Sequence, residues 1–436
     1  MGRRHVSWSG HLSSTPEEWT APASEAEVAE FVARASAAGR RVKVVGGGHS
    51  FSDIGLTDGV LVTLDRMRGV RAVDVSARRI TVQAGIRLHE LVEALAQRGL
   101  GLSILGSVAQ QSIAGAISTG THGSSLRHQN LASFVCGMRL VTARGEILSL
   151  EEHDERLAAA RVGLGALGVI TELTLRCEPL ITLVEEGERV PVGDLIRDLG
   201  AIARSAEYVK VWWLPTLRHA NVYRYTRTHA SPTVSGLGRW IDEAVVNRYL
   251  FTGLIEASRR WPRLTRSINS GVGAVYLRSS RRVGRYDRVL TVAMPPVHRE
   301  VEYAVPMEQG PEAIDRTRAL IDGKGLRVNF VMEIRFVKGD DAWMSPAYGR
   351  DTCYIGAYMA ESADRQAYFE GFEAIMHALG GRPHWGKEHT IRPEQVRRVF
   401  PMAERFLALR RRLDPVGTFD NDCLRRAFGA GWLSYS

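Results

Sequence analysis

The most informative segment of this 436-residue chain is VVGGGHSFSD, from Val44 to Asp53. The residues before its glycines, Arg41 to Val45, are rich in β-branched side chains and predict a short β-strand. Three consecutive glycines, Gly46 to Gly48, let the main chain turn sharply and pass close to a bulky ligand, and their N–H groups can bind phosphate oxygens. His49 follows directly and offers a ring nitrogen that could bond to a cofactor. A tight β-turn with a solvent-exposed histidine is the alternative interpretation.

The overall composition indicates a globular protein of two or three domains. The chain is 44% hydrophobic and 24% charged, as folded proteins usually are, and no apolar run reaches the roughly 18 residues that a membrane span needs. The twin arginine Arg3-Arg4 has no apolar stretch behind it, so we expect no export signal. The four cysteines are far apart and form no CxxC pattern, which predicts a reduced, cytoplasmic protein.

The positive charge of the chain does not indicate a nucleic-acid partner. The net charge is +9, but only five of the 57 basic residues are lysine and the arginines are mostly scattered. No RNA-binding motif with interleaved aromatic residues and no zinc finger accompanies them, and no metal-ligand pattern such as HExxH is present. We therefore expect neither a nucleic-acid nor a membrane partner and no bound metal, and interpret the charge as a solvated surface that can attract anionic substrates.

The first hundred residues predict a small α+β unit around the glycine loop. A capping-box pattern opens an amphipathic helix over residues 24–38, and residues 59–64 and 80–85 predict further strands. An apolar stripe over residues 88–97 predicts a second helix, which Gly99 ends. This order differs from the alternating βαβ of a dinucleotide-binding sheet.

A formal dinucleotide fingerprint, GxGxxG, occurs at Gly163–Gly168. That fingerprint requires a strand before it and a helix after it. Here a helical segment, Glu155–Arg161, comes before and a strand, Val169–Leu175, comes after. The order is reversed, so we reject a nicotinamide-binding interpretation.

A second dense region, Leu105–Gly123, consists mostly of glycines, hydroxyl residues and other small side chains. Such a run can be a close-packed helix start. Small side chains also let the backbone approach a flat ring system, and hydroxyls can hydrogen-bond to phosphates and ring heteroatoms.

In the last third of the chain, the apolar strand Val328–Phe336 carries Glu333 and Arg335 on one face. The alternative is a surface ion pair of little energetic value, but the strand is otherwise apolar, so we expect both charges to face a polar cavity. Further on, Arg382–His389 contains the sequence HWGK, a proline-initiated loop that ends at Lys387 and His389. The segment between residues 180 and 300 carries few recognisable motifs.

These segments, in this order, resemble the vanillyl-alcohol-oxidase type of FAD enzymes, and most closely the aldonolactone oxidases (gulonolactone and arabinonolactone oxidase) and alditol oxidase. The resemblance covers residues 1–178 and roughly the last third of the chain. It implies a two-domain α+β flavoprotein, with a small α+β FAD-binding domain at residues 1–178 that a C-terminal segment of about 395–436 completes. Residues 179–394 would form a substrate-binding cap domain, built on an antiparallel sheet with flanking helices.

For the cofactor, the resemblance implies FAD that is attached covalently to His49 through its 8α-methyl group. The family's second flavin-contacting stretch matches Leu105–Gly123, and the turn at Gly163–Gly168 closes its FAD domain. The cofactor-binding residues that the resemblance implies are Val45, Gly46, Gly47, Gly48, His49, Ser50, Phe51, Ser107, Ser112, Ile113, Ala114, Gly115, Thr119, Gly120, Thr121, His122, Ile170 and Asn421.

For the chemistry, the resemblance implies catalytic roles for Ser107, Glu333, Arg335 and Lys387, and substrate contacts from these four and Tyr358. The expected reaction is the oxidation of a polyhydroxylated, sugar-derived alcohol, either an aldono-1,4-lactone or an alditol. Hydride would pass from a carbinol carbon to flavin N5, and O2 would reoxidise the flavin to give H2O2. Gly106 favours O2 as the electron acceptor, because in this family a small residue just before the position of Ser107 leaves room for dioxygen beside the flavin.

Two alternatives to this function stay open at the level of sequence. The first is a dehydrogenase, or a secondary-metabolite biosynthetic oxidase, of the same fold that acts on another sugar-like alcohol such as an aminoglycoside. The second is a basic binding protein without flavin chemistry.

Overall fold

The computed structural model describes residues 4–233, 250–292, 296–362 and 364–429. Within these ranges the chain forms helices and two large β-sheets, one from residues 70–176 and one from residues 182–383. The α+β class predicted from the sequence is confirmed. Residues 430–436, which belong to the segment expected to complete the first domain, lie outside the described residues. None of the helices in these ranges has the length and apolar content that crossing a bilayer requires.

The elements up to residue 179 build the part of the molecule that contains the glycine loop. In chain order they are β1 (His5–Val6), β2 (Ser13–Ser14), β3 (Glu18–Thr20), α1 (Glu25–Ala37), β4 (Val42–Val45), β5 (Val60–Thr63), β6 (Val70–Asp74), β7 (Arg79–Gln83), α2 (Leu88–Ala96), β8 (Leu100–Gly101), α3 (Ile113–Ser118), β9 (Val135–Val141), β10 (Ile147–Glu151), α4 (Glu155–Arg161), β11 (Val169–Arg176) and β12 (Glu178–Pro179). Strands β3, β5 and β4 form a parallel sheet in that order, and β10, β9, β11, β7 and β6 form an antiparallel one.

Helix α1 forms where the sequence predicts it, because both its cap and its apolar stripe are local. The Ser24 hydroxyl accepts a hydrogen bond from the Glu27 N–H at 3.2 Å, which satisfies one of the free donors at the helix start. Phe31, Val32 and Ala35 are buried on one face of the helix. They belong to the same hydrophobic core as the buried side chains of the first sheets. Burial and capping therefore favour the same helix boundaries.

The elements after residue 179 build a larger antiparallel sheet and the helices that cover it. In chain order they are β13 (Thr182–Pro191), α5 (Val192–Arg197), α6 (Leu199–Arg204), β14 (Tyr208–Trp213), β15 (His219–Thr228), α7 (Thr252–Arg260), α8 (Thr265–Tyr276), β16 (Ser280–Arg285), α9 (Tyr286–Leu290), β17 (Arg299–Pro306), α10 (Gly310–Lys324), β18 (Met332–Val337), β19 (Thr352–Met359), α11 (Arg365–Ala378), β20 (Arg382–Pro383), α12 (Pro393–Val399), α13 (Ala403–Leu413) and α14 (Asp422–Phe428). The eight strands follow the order β16, β13, β15, β14, β18, β19, β17, β20.

The eight-stranded sheet has one apolar face and one polar face. On β14, Val209, Val211 and Trp213 enter a core that helices α5, α6, α10 and α11 cover. Because side chains alternate along a strand, Lys210 and Trp212 point to the opposite face. That face is turned toward the first sheets, whose own core also contains apolar side chains of helices α12, α13 and α14.

Two strand predictions need correction. Strand β6 was not predicted, because its residues are partly exposed at the edge of a sheet and show no apolar alternation. The strand expected at Val328 begins only at Met332. Asn329 explains the delay, since its side chain donates to Ser258 Oγ at 3.2 Å and accepts from the Ala360 N–H at 3.1 Å, contacts that compete with a regular ladder.

Candidate functional site

The glycine loop directly after β4 packs against the segment that precedes α3. A Cβ atom on Gly46 would lie 1.9 Å from Ser112 Oγ, and one on Gly47 would lie 2.8 Å from the carbonyl oxygen of Gln110. Gly48 has a φ of +67°, which glycine adopts without strain. The close approach and the backbone angle therefore require glycine here, and the loop presents main chain rather than side chains.

A cleft opens beside this loop, bounded also by α3 and by the turn before β11. It encloses about 1210 Å³ of space, part of which is open to solvent. The predicted cofactor residues that line it are Val45, Gly46, Gly47, Gly48, His49, Ser50, Ser112, Ala114, Gly115, Thr119 and Ile170. Lining residues that the sequence analysis missed include Lys43, Arg87, Leu164, Gly165, Gly168 and Phe419.

Arg87 and Lys43 give the cleft positive charge. Arg87 donates from Nη2 to Asp65 Oδ1 at 2.5 Å, while its buried Nη1 has no partner among the residues described. Lys43 donates to the carbonyl oxygens of Gly165 at 3.3 Å and Phe419 at 3.1 Å, and burial lowers its pKa to about 8. An unpartnered guanidinium N–H beside a glycine loop fits a ligand with anionic oxygens, such as the pyrophosphate of a dinucleotide.

His49 borders the cleft as a neutral imidazole. Burial, together with the positive charges of Arg87 and Lys387, lowers the pKa of His49 to about 4. Its ring centroid lies 6.0 Å from that of Trp8, and the main-chain N–H of Trp8 donates to the Gly48 carbonyl at 2.9 Å. Within the described ranges, no hydrogen bond engages either ring nitrogen. A neutral ring keeps a nitrogen lone pair that can attack an electrophilic carbon.

Some of the predicted cofactor residues lie outside the lining of this cleft. Asn421 donates to the carbonyl oxygens of Asp53, Ile54 and Leu56 at 3.0–3.1 Å, and its side-chain oxygen accepts the Leu424 N–H at the start of α14. It therefore fixes the segment that follows the glycine loop. The others that do not line the cleft are Phe51, Ser107, Ile113, Gly120, Thr121 and His122.

The polar face of the eight-stranded sheet carries a network around Glu333 and Arg335. The two side chains form a buried ion pair, and Arg335 also donates from Nη2 to Ser107 Oγ at 3.0 Å. Glu333 accepts hydrogen bonds from the Tyr358 hydroxyl at 2.7 Å and from Trp212 Nε1 at 2.9 Å. The structure thus brings four of the predicted site residues into one hydrogen-bonded group.

The charges of this network are fixed by their surroundings. Burial would raise the pKa of Glu333, but the positive charges of Arg335 and Lys210 outweigh it and lower the pKa to about 2. Glu333 is therefore ionised at neutral pH. The Nε of Arg335 is buried without a partner among the described residues, so this guanidinium keeps one donor for a ligand.

Lys387 lies beside the network. Its Nζ donates a hydrogen bond to the buried Glu300 carboxylate and lies 4.8 Å from the centroid of the Phe51 ring. The His298 ring lies 5.1 Å from Phe51 and 5.4 Å from Tyr358, the hydroxyl donor to Glu333. Consecutive contacts therefore connect Lys387 to the other predicted catalytic residues.

His122 belongs to a third buried cluster, with Glu302 and His384. Potential ligand atoms of the three residues lie within 4.8 Å of one another, a spacing that suits a metal ion. However, the Gly386 N–H donates to His384 Nδ1 at 3.0 Å, which leaves its Nε2 protonated, so neither nitrogen has a free lone pair. Burial would raise the pKa of Glu302, but His122 outweighs it and lowers that pKa. His384 therefore does not suit the role of a metal ligand, and the closest charged contact in the cluster is between His122 Nε2 and the Glu302 carboxylate at 3.5 Å.

Three residues of these clusters were not expected from the sequence: Trp212, His298 and Glu300. A signal for Glu300 was present, because Glu300 and Glu302 alternate along β17 and so face the same side, as Glu333 and Arg335 do on β18. Nothing in the local sequence marks His298. Trp212 is adjacent to Glu333 only through the pairing of β14 with β18.

Comparison with known proteins gives family matches over both parts of the chain. A model described as "FAD binding domain" matches residues 16–151, and one described as "D-arabinono-1,4-lactone oxidase" matches residues 173–427. The chain is 38% identical over 423 residues to L-gulono-1,4-lactone dehydrogenase of Mycobacterium tuberculosis, covering 97% of this chain and 98% of that protein. It is 33% identical over 435 residues to L-gulonolactone oxidase of Bos taurus, covering 98% of each.

Solved structures show the same fold at low identity. A solvent-stable cholesterol oxidase superposes with a TM-score of 0.85 and 17% identity, covering 98% of this chain and 97% of that one. The cholesterol oxidase of B. sterolicum superposes with a TM-score of 0.85 and 15% identity over the same shares. At these identities the likeness bears on the fold alone.

Proposed function

This chain belongs to the D-arabinono-1,4-lactone oxidase family of FAD-dependent oxidoreductases, and from that premise we propose that it oxidises a carbinol of an aldono-1,4-lactone. FAD, held in the cleft by the glycine loop and Arg87, would supply an electron sink for a hydride from the carbinol carbon, and O2 would take up the electrons as H2O2. The observation that carries the proposal is the network of Ser107, Arg335 and Glu333, because it holds fixed opposite charges next to the segment that lines the cofactor cleft.

The cleft residues suit FAD. The main chain of Gly46–Gly48 and the unpartnered Nη1 of Arg87 would hold the pyrophosphate. The hydroxyls of Ser112 and Thr119, at the two ends of α3, would hydrogen-bond to polar atoms of the cofactor. The close packing of Gly46 against Ser112 brings the glycine loop and the start of α3 together at one wall of the cleft.

Covalent attachment of FAD through His49 is part of the proposal. The low pKa of His49 supports it, because attachment to a flavin methyl carbon needs a ring nitrogen with a free lone pair. The position of His49 at the edge of the cleft, without a competing hydrogen bond among the described residues, supports it as well.

Each charged residue would have a separate role in binding or activating the substrate. Arg335 would stabilise the negative charge that develops on the reacting oxygen, since a fixed cation in a buried site is effective there. Glu333 would accept a hydrogen bond from a substrate hydroxyl, with Tyr358 orienting it. Lys387 would bind the reacting oxygen and Ser107 would add a hydrogen bond.

A dehydrogenase that uses another electron acceptor is the second candidate. Its support is the relative at 38% identity, which is named a dehydrogenase, whereas the relative at 33% is named an oxidase. Gly106 favours the oxidase, because a glycine leaves space for O2. Alditols and other sugar-like alcohols are alternative substrates, and the same residues would act on them in the same way.

The remaining parts of the proposal concern organisation and compartment. Residues 1–178 with the C-terminal segment from about 395 would bind FAD, and residues 179–394 would form the substrate cap; the packing of helices α12–α14 into the first core supports this division. Cys136, Cys177, Cys353 and Cys423 are all free, which is compatible with a reducing cytoplasm.

A spectrum and a substrate screen test the function. We expect the purified protein to be yellow, with flavin absorbance that aldono-1,4-lactones bleach under nitrogen. Aldonolactones, alditols and amino sugars are then compared by O2 consumption and by turnover with an artificial acceptor. Turnover with the acceptor but without O2 consumption would select the dehydrogenase. A colourless protein that no FAD restores would overturn the whole proposal.

A further inference from the structure

The ammonium of Lys387 has a dedicated carboxylate partner, Glu300. Glu300 is 3% exposed, and its Oε2 accepts the hydrogen bond from Lys387 Nζ while its buried Oε1 has no partner among the residues described. The ring of Phe51 covers Lys387 from another side at 4.8 Å. A buried carboxylate with one free oxygen can hold a cation and still accept a proton.

Other titratable groups surround the pair without replacing either partner. His298 Nε2 lies 3.8 Å from Glu300 Oε2, beyond a hydrogen bond, and its Nδ1 donates to the Pro296 carbonyl at 2.8 Å. Tyr358 lies directly opposite Glu300 on the neighbouring strand but donates its hydroxyl to Glu333.

Around the ammonium, Glu302 lies 3.5 Å from His122 Nε2, whereas the salt bridge of Lys387 is with Glu300. His384 and His49 are both neutral, because burial lowers the pKa of His384 to about 3 and that of His49 to about 4. Glu388, the residue after Lys387, is bound by Arg299. Among the residues described, Glu300 is therefore the ion-pair partner of Lys387.

We propose that Glu300 is a positioning residue that holds Lys387 as an ammonium at the reacting oxygen and takes up the substrate's hydroxyl proton through it. The inference rests on the proposed function and deepens it, since it assigns the group that takes up the substrate's proton. A carboxylate in direct contact favours the charged form of the amine. Lys387 alone, as a neutral amine, is therefore not the resting base.

The proton step needs only the substrate, Lys387 and Glu300. The substrate O–H and C–H bonds break and a C=O bond forms. The hydride, with its two electrons, leaves to the FAD of the proposed function. The ammonium of Lys387 passes one proton to Glu300 Oε2 along the existing hydrogen bond and receives the hydroxyl proton in exchange. Glu300 ends as a neutral carboxylic acid, and Lys387 is unchanged.

Amine labelling tests the pair without turnover, and the chain suits it because it has only five lysines. The protein is treated with a trace of acetic anhydride from pH 7 to 11, and mass spectrometry gives the extent of acetylation of Lys387. Lys324 and Lys338, both exposed, are internal standards. In Glu300→Gln we expect the pH of half-reaction of Lys387 to fall by about 1–3 units, with the standards unchanged. An unchanged Lys387 profile would overturn the inference.

Kinetics test the proton transfer. We expect Glu300→Gln to lower kcat at pH 7 by about 10²-fold or more, with a much smaller change in KM, and its kcat to rise with pH as solvent takes over the proton. Glu300→Asp keeps the carboxylate and should restore the wild-type form of the pH profile. Glu388→Gln is the matched control, since it removes a neighbouring glutamate that binds Arg299 instead, and it should keep the wild-type profile.

The outcomes separate this inference from the proposed function. A Glu300→Gln variant with wild-type kcat and wild-type pH profile overturns the inference while lactone oxidation stands. The labelling can change as expected in a protein that oxidises no lactone or polyol. That result would support the Lys387–Glu300 ion pair but reject both the proposed function and the proton path. If Glu300→Gln melts at a much lower temperature than Glu388→Gln, Glu300→Asp replaces it. A Glu300→Asp pH profile unlike that of the wild type would then overturn the inference.

Discussion

Arg335 donates a hydrogen bond from Nη2 to the hydroxyl of Ser107 across 3.0 Å, although the two residues are 228 positions apart. Ser107 belongs to the segment that leads into α3 and the cofactor cleft, whereas Arg335 projects from β18 on the polar face of the large sheet. This contact therefore joins the cofactor side of the molecule to the substrate side, and it positions the guanidinium that also binds Glu333.

The first prediction concerns the geometry of this guanidinium. Arg335→Lys keeps a positive charge beside Glu333 but loses the planar fork that reaches Ser107 and Glu333 together. We expect kcat/KM to fall by about 10²–10³-fold, while flavin content and melting temperature stay close to those of the wild type. Arg282→Lys is the matched control, because Arg282 also binds a buried glutamate, Glu185, on the same sheet. Full activity of Arg335→Lys would contradict the role assigned to the guanidinium.

The second prediction concerns the covalent bond to FAD. In His49→Ala, we expect acid precipitation to release all flavin into the supernatant, whereas wild-type precipitate keeps its yellow colour and fluorescence. Noncovalent FAD should still bind the variant, since the glycine loop and Arg87 are intact. His5→Ala changes another histidine that lines the cleft and should keep the flavin attached. Colourless wild-type precipitate would show that His49 carries no covalent flavin.

The third prediction concerns O2. A Cβ atom on Gly106 would lie 2.9 Å from Thr121 Cγ2, so Gly106→Ala is combined with Thr121→Ser, which removes that methyl group. We expect the double variant to lose O2-dependent turnover by about tenfold, the equivalent of about 1.4 kcal/mol in the barrier, and to keep turnover with an artificial acceptor. Thr121→Ser alone is the control. Equal loss with both acceptors would mean that the change damages the site rather than the access of O2.

The fold was predictable where local signals agree. Helix α1 was expected over residues 24–38 and is observed over 25–37, because cap and periodicity coincide. The turn at Gly163–Gly168 was rejected as a nicotinamide site from the order of its flanking elements, and that order is observed, with α4 before it and β11 after it. Its Leu164, Gly165 and Gly168 nevertheless line the cleft, which only the tertiary structure reveals.

The site was predictable only in part, because some of its residues are brought together by tertiary structure alone. The glycine loop and the Glu333–Arg335 pair are encoded within a few consecutive residues. The partners Trp212 and Glu300 come from strand pairing, since β14 aligns Trp212 with Glu333 and β17 aligns Glu300 with Tyr358. Register between strands that are distant in sequence is not written in any local pattern.

The last prediction concerns stability in acid at a contact between the two parts of the molecule. Burial would raise the pKa of Glu207, but hydrogen bonds from His128 at 3.0 Å and from Arg227 outweigh it and lower the pKa to about 2. In the unfolded chain the pKa of a glutamate is higher, about 4.3. Glu207 therefore adds stability above about pH 5, and this contribution disappears as the pH falls toward 2.

We therefore expect Glu207→Gln to melt earlier than the wild type at pH 6–7, by a free energy of about 1 kcal/mol or less because solvent screens a partly exposed pair. The difference should shrink steadily between pH 5 and pH 3, which thermal melts followed by circular dichroism can measure. Glu188→Gln is the control, since Glu188 pairs with Arg224 at the surface with 59% of its side chain exposed, and its effect should be small at every pH. A Glu207→Gln difference that stays constant down to pH 3 would mean that the carboxylate contributes through packing rather than charge.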